Sequence, residues 1–385
     1  MPNAKDANQA GEKVLGIVIA GAAARGAYAA GALANLAPRI KEYERVVIVG
    51  TSSGAVNAAL LAQSAHEESP ADIAANLTSA WEQIDFSKVF RPIVAPRTLT
   101  RTAGWLWSRR VTKIFDTAPL HRTAQNLYCP KQVVANIKNG YPEAVAVVAT
   151  LCQQDGTGGR SRVFLHSNSP APKVAPNCAL DYVPTPLHYK HVIASSAIPV
   201  LFPPERIDTQ GAAGFYIDGG VRLNTPIKPA LDLGATELMI ISSHATTYPP
   251  PPVGPPGRMP DIQGVGAQSL NAVLGDAMIE DIRNLRRINC FVKAAGNKAI
   301  SPNGNPYRHT RFLLVSPNSG QLAGMAATAF RNRYQGLFPL QAAFSFLNIG
   351  GDDRELLSFL LFDPHYMRDQ IQLGKADASV ALWQK

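Results

Sequence analysis

The sequence predicts an α/β protein with a mainly parallel sheet and helices on both of its faces. Three observations carry this. Short β-branched and apolar runs recur along the chain, and helical spacings lie between or after several of them. An early run, Val46–Val49, shows no alternation of polar with apolar residues, as expected of a parallel strand covered on both sides. The composition supports a large core: of 385 residues, 46% are apolar and 17% charged, which excludes an intrinsically disordered chain. No internal repeat is visible, and the length is compatible with one domain over 14–385.

In chain order, residues 1–13 read as a polar tail. Lys13 followed by Val14–Ala24 imitates a short signal peptide, but Asp6 and Glu12 precede it and Gly16 and Gly21 break the apolar run. The expectation is therefore a strand, Leu15–Ala20, a tight loop of small residues, and a helix reaching Leu36. Val46–Val49 is the second strand, Gly50–Gly54 turns the chain, and Ala55–Ala65 reads as a helix. Further strands are expected at Ala144–Thr150, Val163–His166, Gly214–Ile217, Glu237–Ser242 and Arg311–Val315. Helices are expected at Leu270–Ile288, Glu355–Phe362 and Tyr366–Leu382, with Pro364 separating the last two within a helical C-terminal part, 320–385. Pro249–Pro260 holds seven prolines in twelve residues and can enter neither sheet nor helix. It is expected as an extended loop after a strand end, either a lid beside the site or a plain surface connection.

Charge is unevenly placed. The chain carries a formal +9, and residues 88–122 hold eight basic residues against one acid, Asp116. Trp105 and Trp107 lie in this segment beside Arg109 and Arg110. Cations beside indoles suit an anionic membrane surface. A nucleic-acid groove would use the same ingredients, and a solvated basic face over core tryptophans is the plain alternative. No stretch approaches 18 uninterrupted apolar residues, so no transmembrane helix is expected. Cys129, Cys152, Cys178 and Cys290 show neither CxxC spacing nor disulfide-scaffold density, which fits reduced thiols and a cytoplasmic setting.

The sharpest chemical signal is Gly50-Thr51-Ser52-Ser53-Gly54, a G-x-S-x-G set between an apolar strand and a helix. A serine on so sharp a turn forces its neighbours two positions away almost into contact, and glycine at 50 and 54 permits it. Ser52 Oγ would stand exposed, and the Ser53 N–H at the helix start could meet a developing oxyanion. None of the eight histidines lies in a compelling motif. His188 and His191 are expected to flank a strand start in structural roles. His244, after Ser242 and Ser243 at a strand end, is the best of a weak set as a triad member. The carboxylate is better marked: Phe215-Tyr216-Ile217 ends in Asp218-Gly219-Gly220, so a strand-end acid is followed by two flexible residues. A buried aspartate can act as base if burial lifts its pKa above the usual ~3.9; a capping carboxylate in a D-G-G turn is the alternative. The loop Gly21-Ala22-Ala23-Ala24-Arg25-Gly26 presents a row of backbone N–H groups, an anion nest, with Arg25 holding the loop or attracting a phosphate. It matches neither nucleotide-binding glycine pattern.

In that order and spacing these blocks resemble the patatin-like phospholipase family over most of the chain. Gly21–Gly26 corresponds to the family's oxyanion loop, Gly50–Gly54 to its nucleophile elbow, and Asp218–Gly220 to its Asp-Gly-Gly block. Ala194-Ser195-Ser196-Ala197-Ile198-Pro199, Phe202-Pro203-Pro204 and Asn224-Thr225-Pro226 are also in pattern, with weaker similarity at Phe115–Leu120 and from Phe362. The resemblance implies a three-layer α/β/α sandwich and a Ser52–Asp218 dyad acting through an acyl-serine on glycerophospholipid, lysophospholipid or neutral glyceride. It implies an oxyanion hole from the 21–26 loop N–H groups with Ser53. No metal or other cofactor is required, and the partner implied is the lipid; the basic, Trp-bearing segment 88–122 is the candidate for a peripheral membrane contact, and no nucleic acid is expected. The family loop is usually a run of glycines, and here alanine stands at 22, 23 and 24. Alanine keeps the N–H donors but disfavours positive φ. Acyl transfer to an alcohol or thiol, a non-catalytic lipid-binding protein, and a secreted effector with the same chemistry are the rival readings.

Overall fold

In the computed structural model the described residues are 13–92, 115–152, 159–174, 178–199, 201–247, 262–296, 307–334 and 354–384, with 250 and 300 singly. Trp105, Trp107, Arg109 and Arg110 lie outside them, as does the proline-rich segment 249–260 apart from Pro250.

Twelve strands are formed among the described residues: β1 Val14–Ile19, β2 Arg45–Thr51, β3 Arg91–Pro92, β4 Phe115–Asp116, β5 Ala144–Cys152, β6 Arg160–Ser167, β7 Leu180–Pro184, β8 Glu205–Ile207, β9 Gly214–Asp218, β10 Glu237–Ile241, β11 Arg311–Val315 and β12 Trp383–Gln384. The main sheet runs β12-β11-β10-β1-β2-β5-β6-β7, and its central five strands, β11 to β5, are parallel. β6 is antiparallel to β5, and β9, paired with β8, is also antiparallel to β5. β3 and β4 form a separate ribbon.

The helices are α1 Gly26–Lys41, α2 Ser53–Gln63, α3 Pro70–Glu82, α4 Phe86–Val89, α5 Ala118–Leu127, α6 Pro130–Lys138, α7 Tyr189–Ser195, α8 Gly220–Leu223, α9 Ile227–Asp232, α10 Ile262–Ala295, α11 Gln321–Tyr334, α12 Arg354–Leu360 and α13 Pro364–Val380. The period of two along β1 divides them into layers. Leu15, Ile17 and Ile19 pack on one side with residues of α1, α2, α3, α6 and α13. Val14 and Val18 pack on the other with Ile227 of α9 and Met278, Ile282 and Leu285 of α10. Both faces are covered, giving the α/β/α arrangement. α1 and α13 cross closely: a Cβ on Gly31 would lie 2.1 Å from the Ile371 carbonyl, and one on Gly374 would lie 2.1 Å from that of Tyr28.

The expected strands and helices all occur, most of them with ends within about three residues of those expected, whereas α10 extends well beyond the expected Leu270–Ile288 at both ends. α3 to α9 and β3, β4, β7, β8 and β12 have no counterpart among the expected elements. One expectation is corrected. His188 and His191 flank a helix start, not a strand start: His188 is the N-cap of α7, and its backbone N–H donates to His191 Nδ1 at 3.1 Å. The polar run that reads as a strand boundary is a capping box.

Strand order reverses beside β1, since β2 and β5 extend to one side and β10 and β11 to the other. The loop after β1 therefore opens at the switch point of the sheet, where α/β folds leave a crevice.

Candidate active site

The turn after β2 carries Ser52 at φ 55°, ψ −127°, a conformation that an L-residue adopts only when its surroundings enforce it. The enforcement is visible in the glycines on either side. A Cβ on Gly50 would lie 2.2 Å from the Gly54 carbonyl oxygen, and one on Gly54 would lie 2.2 Å from that of Ile19. The Ser52 N–H donates to Ser195 Oγ at 2.8 Å, and that hydroxyl donates to the Val148 carbonyl at 2.5 Å. Ser195 thus pins the strained residue to the neighbouring strand.

Ser52 Oγ donates to Asp218 Oδ2 at 2.6 Å. The other carboxylate oxygen, Oδ1, accepts from the Gly220 N–H at 2.7 Å. Both side chains are almost fully buried. Burial pushes the Asp218 carboxyl up to about 6, against the opposing hydrogen bonds from Ser52 and Gly220. The pair meets through β5. Thr51, the last residue of β2, is opposite Val148, and Asp218, the last of β9, is opposite Ala149. β6 fills the other edge of β5, so β2 and β9 share one edge and end against each other. Asp218 therefore arrives from an antiparallel strand, not from the C-terminal rim of the parallel set that strand-end reasoning supposes.

The loop 21–26 is tied on every side. The Gly21 N–H donates to Asn224 Oδ1 and the Gly21 carbonyl accepts from Asn224 Nδ2, both at 3.1 Å. The Ala22 N–H donates to Ser53 Oγ at 2.9 Å. Arg25 N–H donates to the Ala22 carbonyl at 3.0 Å, and Gly26 N–H to that of Ala23. Of the loop's backbone donors, those of Ala23 and Ala24 have no acceptor among the described residues, nor has the Ser53 N–H at the start of α2. The nest read from sequence is thereby narrowed to two loop donors and the helix N-terminus. Ala23 reaches its place at φ 49°, the positive φ that alanine disfavours.

Arg25 turns away from the serine. Its guanidinium binds Glu355 and Ser358 of α12, with Nε 2.8 Å from Ser358 Oγ, and lies 4.1 Å over the Phe359 ring. It holds the loop, the first of the two roles its sequence position allows. His244 is not beside Ser52 but beneath the loop, donating from Nε2 to the Gly21 carbonyl at 3.2 Å. Burial and the nearby Arg25 charge push its pKa down to about 3, so it is neutral in the fold. The sequence reading gave no role to Ser195, Asn224 or Ser358. The first two lie inside recognised blocks, whereas nothing local marks Ser358 as a partner of a residue over 300 positions away.

Two apolar chambers adjoin the dyad, and Ala23, Ser52 and Ile198 line both. One extends between α2, α3, α5 and α7, lined by Val56, Leu60, Trp81, Leu127, Val192 and Phe202 among others. The second extends toward α12 and contains Asp218 with Leu201, Val221, Leu356, Phe359 and Leu360. Such apolar walls around a hydroxyl–carboxylate pair suit an ester of a hydrophobic acid. Among the described residues no helix is long and apolar enough to cross a membrane.

Comparison with known proteins adds the following. No curated protein matches the chain. A solved structure, VipD from Legionella pneumophila, aligns with 98% of this chain and 68% of its own at 11% identity and a TM-score of 0.34. The sequence profile described as patatin-like phospholipase matches residues 17–231, which include the loop after β1, the turn after β2 and Asp218.

Proposed function

The chain belongs to the patatin-like phospholipase family, and from that membership and the site geometry we propose that it is a serine lipid acyl hydrolase with Ser52 as nucleophile and Asp218 as general base. The observation that carries the proposal is the 2.6 Å hydrogen bond from Ser52 Oγ to Asp218 Oδ2 in an apolar setting that lifts the carboxyl to about 6. A carboxylate with that affinity for a proton can accept one at neutral pH and return it.

In this reading Ser52 Oγ attacks the ester carbonyl as its proton passes to Asp218. The N–H groups of Ala23, Ala24 and Ser53 stabilise the oxyanion. The carbon–oxygen bond to the leaving alcohol breaks, and Asp218 delivers the proton to that oxygen. The acyl-serine is then attacked by water, which gives its proton to Asp218; the Oγ–acyl bond breaks, the proton returns to Oγ, and the fatty acid leaves. Arg25, His244 and Asn224 act as positioning residues by holding the loop.

Release of fatty acid from phospholipid vesicles, with Ser52→Ala and Asp218→Asn alongside, tests the proposal. Loss of turnover in both variants, with vesicle binding retained, is the expected result. Vesicle binding with no turnover in the wild type would instead establish a lipid-binding protein. The basic segment 88–122, mostly outside the described residues, remains the proposed membrane contact. Vesicle binding that weakens as salt rises supports it, and salt-insensitive binding overturns it.

A further inference from the structure

Ser53 follows the nucleophile and is as deeply buried as Ser52, each being 4% exposed. Polar groups at that depth are expected to find hydrogen-bond partners. The Ser53 hydroxyl meets only half of this expectation. Its Oγ accepts from the Ala22 N–H at 2.9 Å, while its proton is donated to no acceptor among the described residues. Packing holds the side chain in place: a Cβ on Gly26 would lie 2.7 Å from Ser53 Cβ and 2.3 Å from the Trp81 ring, so the glycine makes the room that the serine occupies. Ser53 lines the first chamber together with Ala23 and Ser52.

The same residue already offers a backbone donor to the proposed oxyanion. N and Oγ of one serine are joined through Cα and Cβ alone, so an oxygen that accepts from the Ser53 N–H lies within reach of the hydroxyl as well. The Ala22 N–H, by contrast, can meet that oxygen only by giving up Ser53 Oγ. Displacing Oγ would exchange one hydrogen bond for another and leave the hydroxyl unpaired against apolar walls. Turning its free proton to the oxyanion adds a bond and breaks none.

The geometry points to Ser53 Oγ as a further catalytic group, a side-chain hydroxyl that donates to the oxyanion and is itself polarised by the Ala22 N–H behind it. The inference rests on the acyl-hydrolase reading and adds a side-chain donor to its backbone ones. Hydrogen bonds in such a chain strengthen one another. An oxygen that has gained charge accepts more strongly than an ester carbonyl, so the hydroxyl acts on kcat more than on KM. Ala22, excluded from direct contact, still contributes through the hydroxyl.

The test assays Ser53→Ala, Ser53→Cys and Ser53→Thr on one ester. A trifluoromethyl ketone with the same acyl chain, which forms an oxyanion on Ser52, serves as inhibitor. Alanine removes the hydroxyl, cysteine keeps the shape with only a weak donor, and threonine keeps the hydroxyl. In the Ala and Cys variants kcat is expected to fall about 10- to 100-fold, less than the loss of a sole donor because the backbone N–H groups remain. KM should stay within about threefold, and affinity for the ketone should fall in step with kcat. Threonine should return kcat to within about fivefold of the wild type. A packing role predicts another order, with the Cys variant near the wild type and kcat following Tm. A Cys variant of wild-type kcat therefore overturns the inference. So does a Ser53→Ala kcat equal to the wild type or above it, the latter meaning that Oγ blocks the Ala22 N–H. Either result leaves the hydrolase reading intact when a fluorophosphonate labels Ser52. A wild type that neither cleaves the ester nor is labelled at Ser52 overturns both.

Discussion

Ser52 and Asp218, 166 positions apart, are hydrogen-bonded at 2.6 Å because the strands that deliver them end against consecutive residues of one neighbour, Val148 and Ala149. The pairing is a property of the sheet register. A one-residue slip of β9 would turn the carboxylate to the opposite face.

If Ser52 is the nucleophile and Asp218 its base, Ser52→Ala and Asp218→Ala should each lower kcat/KM by at least about 10³-fold, and the double variant should be little worse than either alone. Single-turnover assays on one ester check this. Independent, multiplying effects would mean that the two do not act as a unit.

The carboxylate raised to about 6 sets the pH profile. Activity should rise through a midpoint near 6 and be lost below it, as the base becomes protonated. The stability sign is the reverse. The fold keeps this proton in the range where the unfolded chain has released it, so stability falls as pH rises from about 4 to about 6. Asp218→Asn should therefore be more stable than the wild type at pH 8, by up to about 3 kcal/mol, with the gap closing toward pH 4. His244, held at about 3 by burial, pulls the other way by destabilising the fold in acid. Because it is common to both proteins, the difference in their Tm values isolates Asp218.

Ser52 and Ala23 are the two non-glycine residues at positive φ among those described. Ser52→Gly should be more stable than Ser52→Ala by about 1 kcal/mol, though both are inactive, since glycine removes the strain that alanine retains. Ala23→Gly should retain activity and change stability only slightly, because relief of strain is offset by the greater freedom of the unfolded chain. Ala23→Val should lose most activity. Thermal melts and kcat on one ester distinguish these outcomes.

Loosening the loop from behind should act on kcat more than on KM. Arg25→Met removes the link to Glu355 and Ser358, and a fall in kcat of about 10- to 100-fold is expected, less than the roughly 10²- to 10³-fold that outright loss of an oxyanion donor costs. His244→Phe should behave similarly, while His244→Gln, which can still donate to the Gly21 carbonyl, should restore part of the rate. A purely structural role would lower Tm in both His244 variants without separating their kcat values.

The amino-acid sequence by itself determined the layers, the turn and which two side chains are proposed to react. Those features are local. The apolar run over Val46–Val49, the glycines two positions either side of Ser52, and an acid set between a strand and two glycines each report a backbone requirement met within a few residues. Tertiary structure alone decided how they work together. Which loop N–H groups remain unpaired depends on Asn224 and Ser53 taking two of them. Whether Arg25 faces an anion or an internal partner depends on α12, more than 300 residues later. The raised Asp218 pKa depends on burial contributed by the strands around it. Two of the missed helices have the same origin: α5 and α6 are short, about half-polar segments whose few buried side chains acquire a partner only when the core beneath them exists. Local patterns register what the backbone must do, whereas desolvation and hydrogen-bond occupancy are set by whichever distant segment arrives to complete the site.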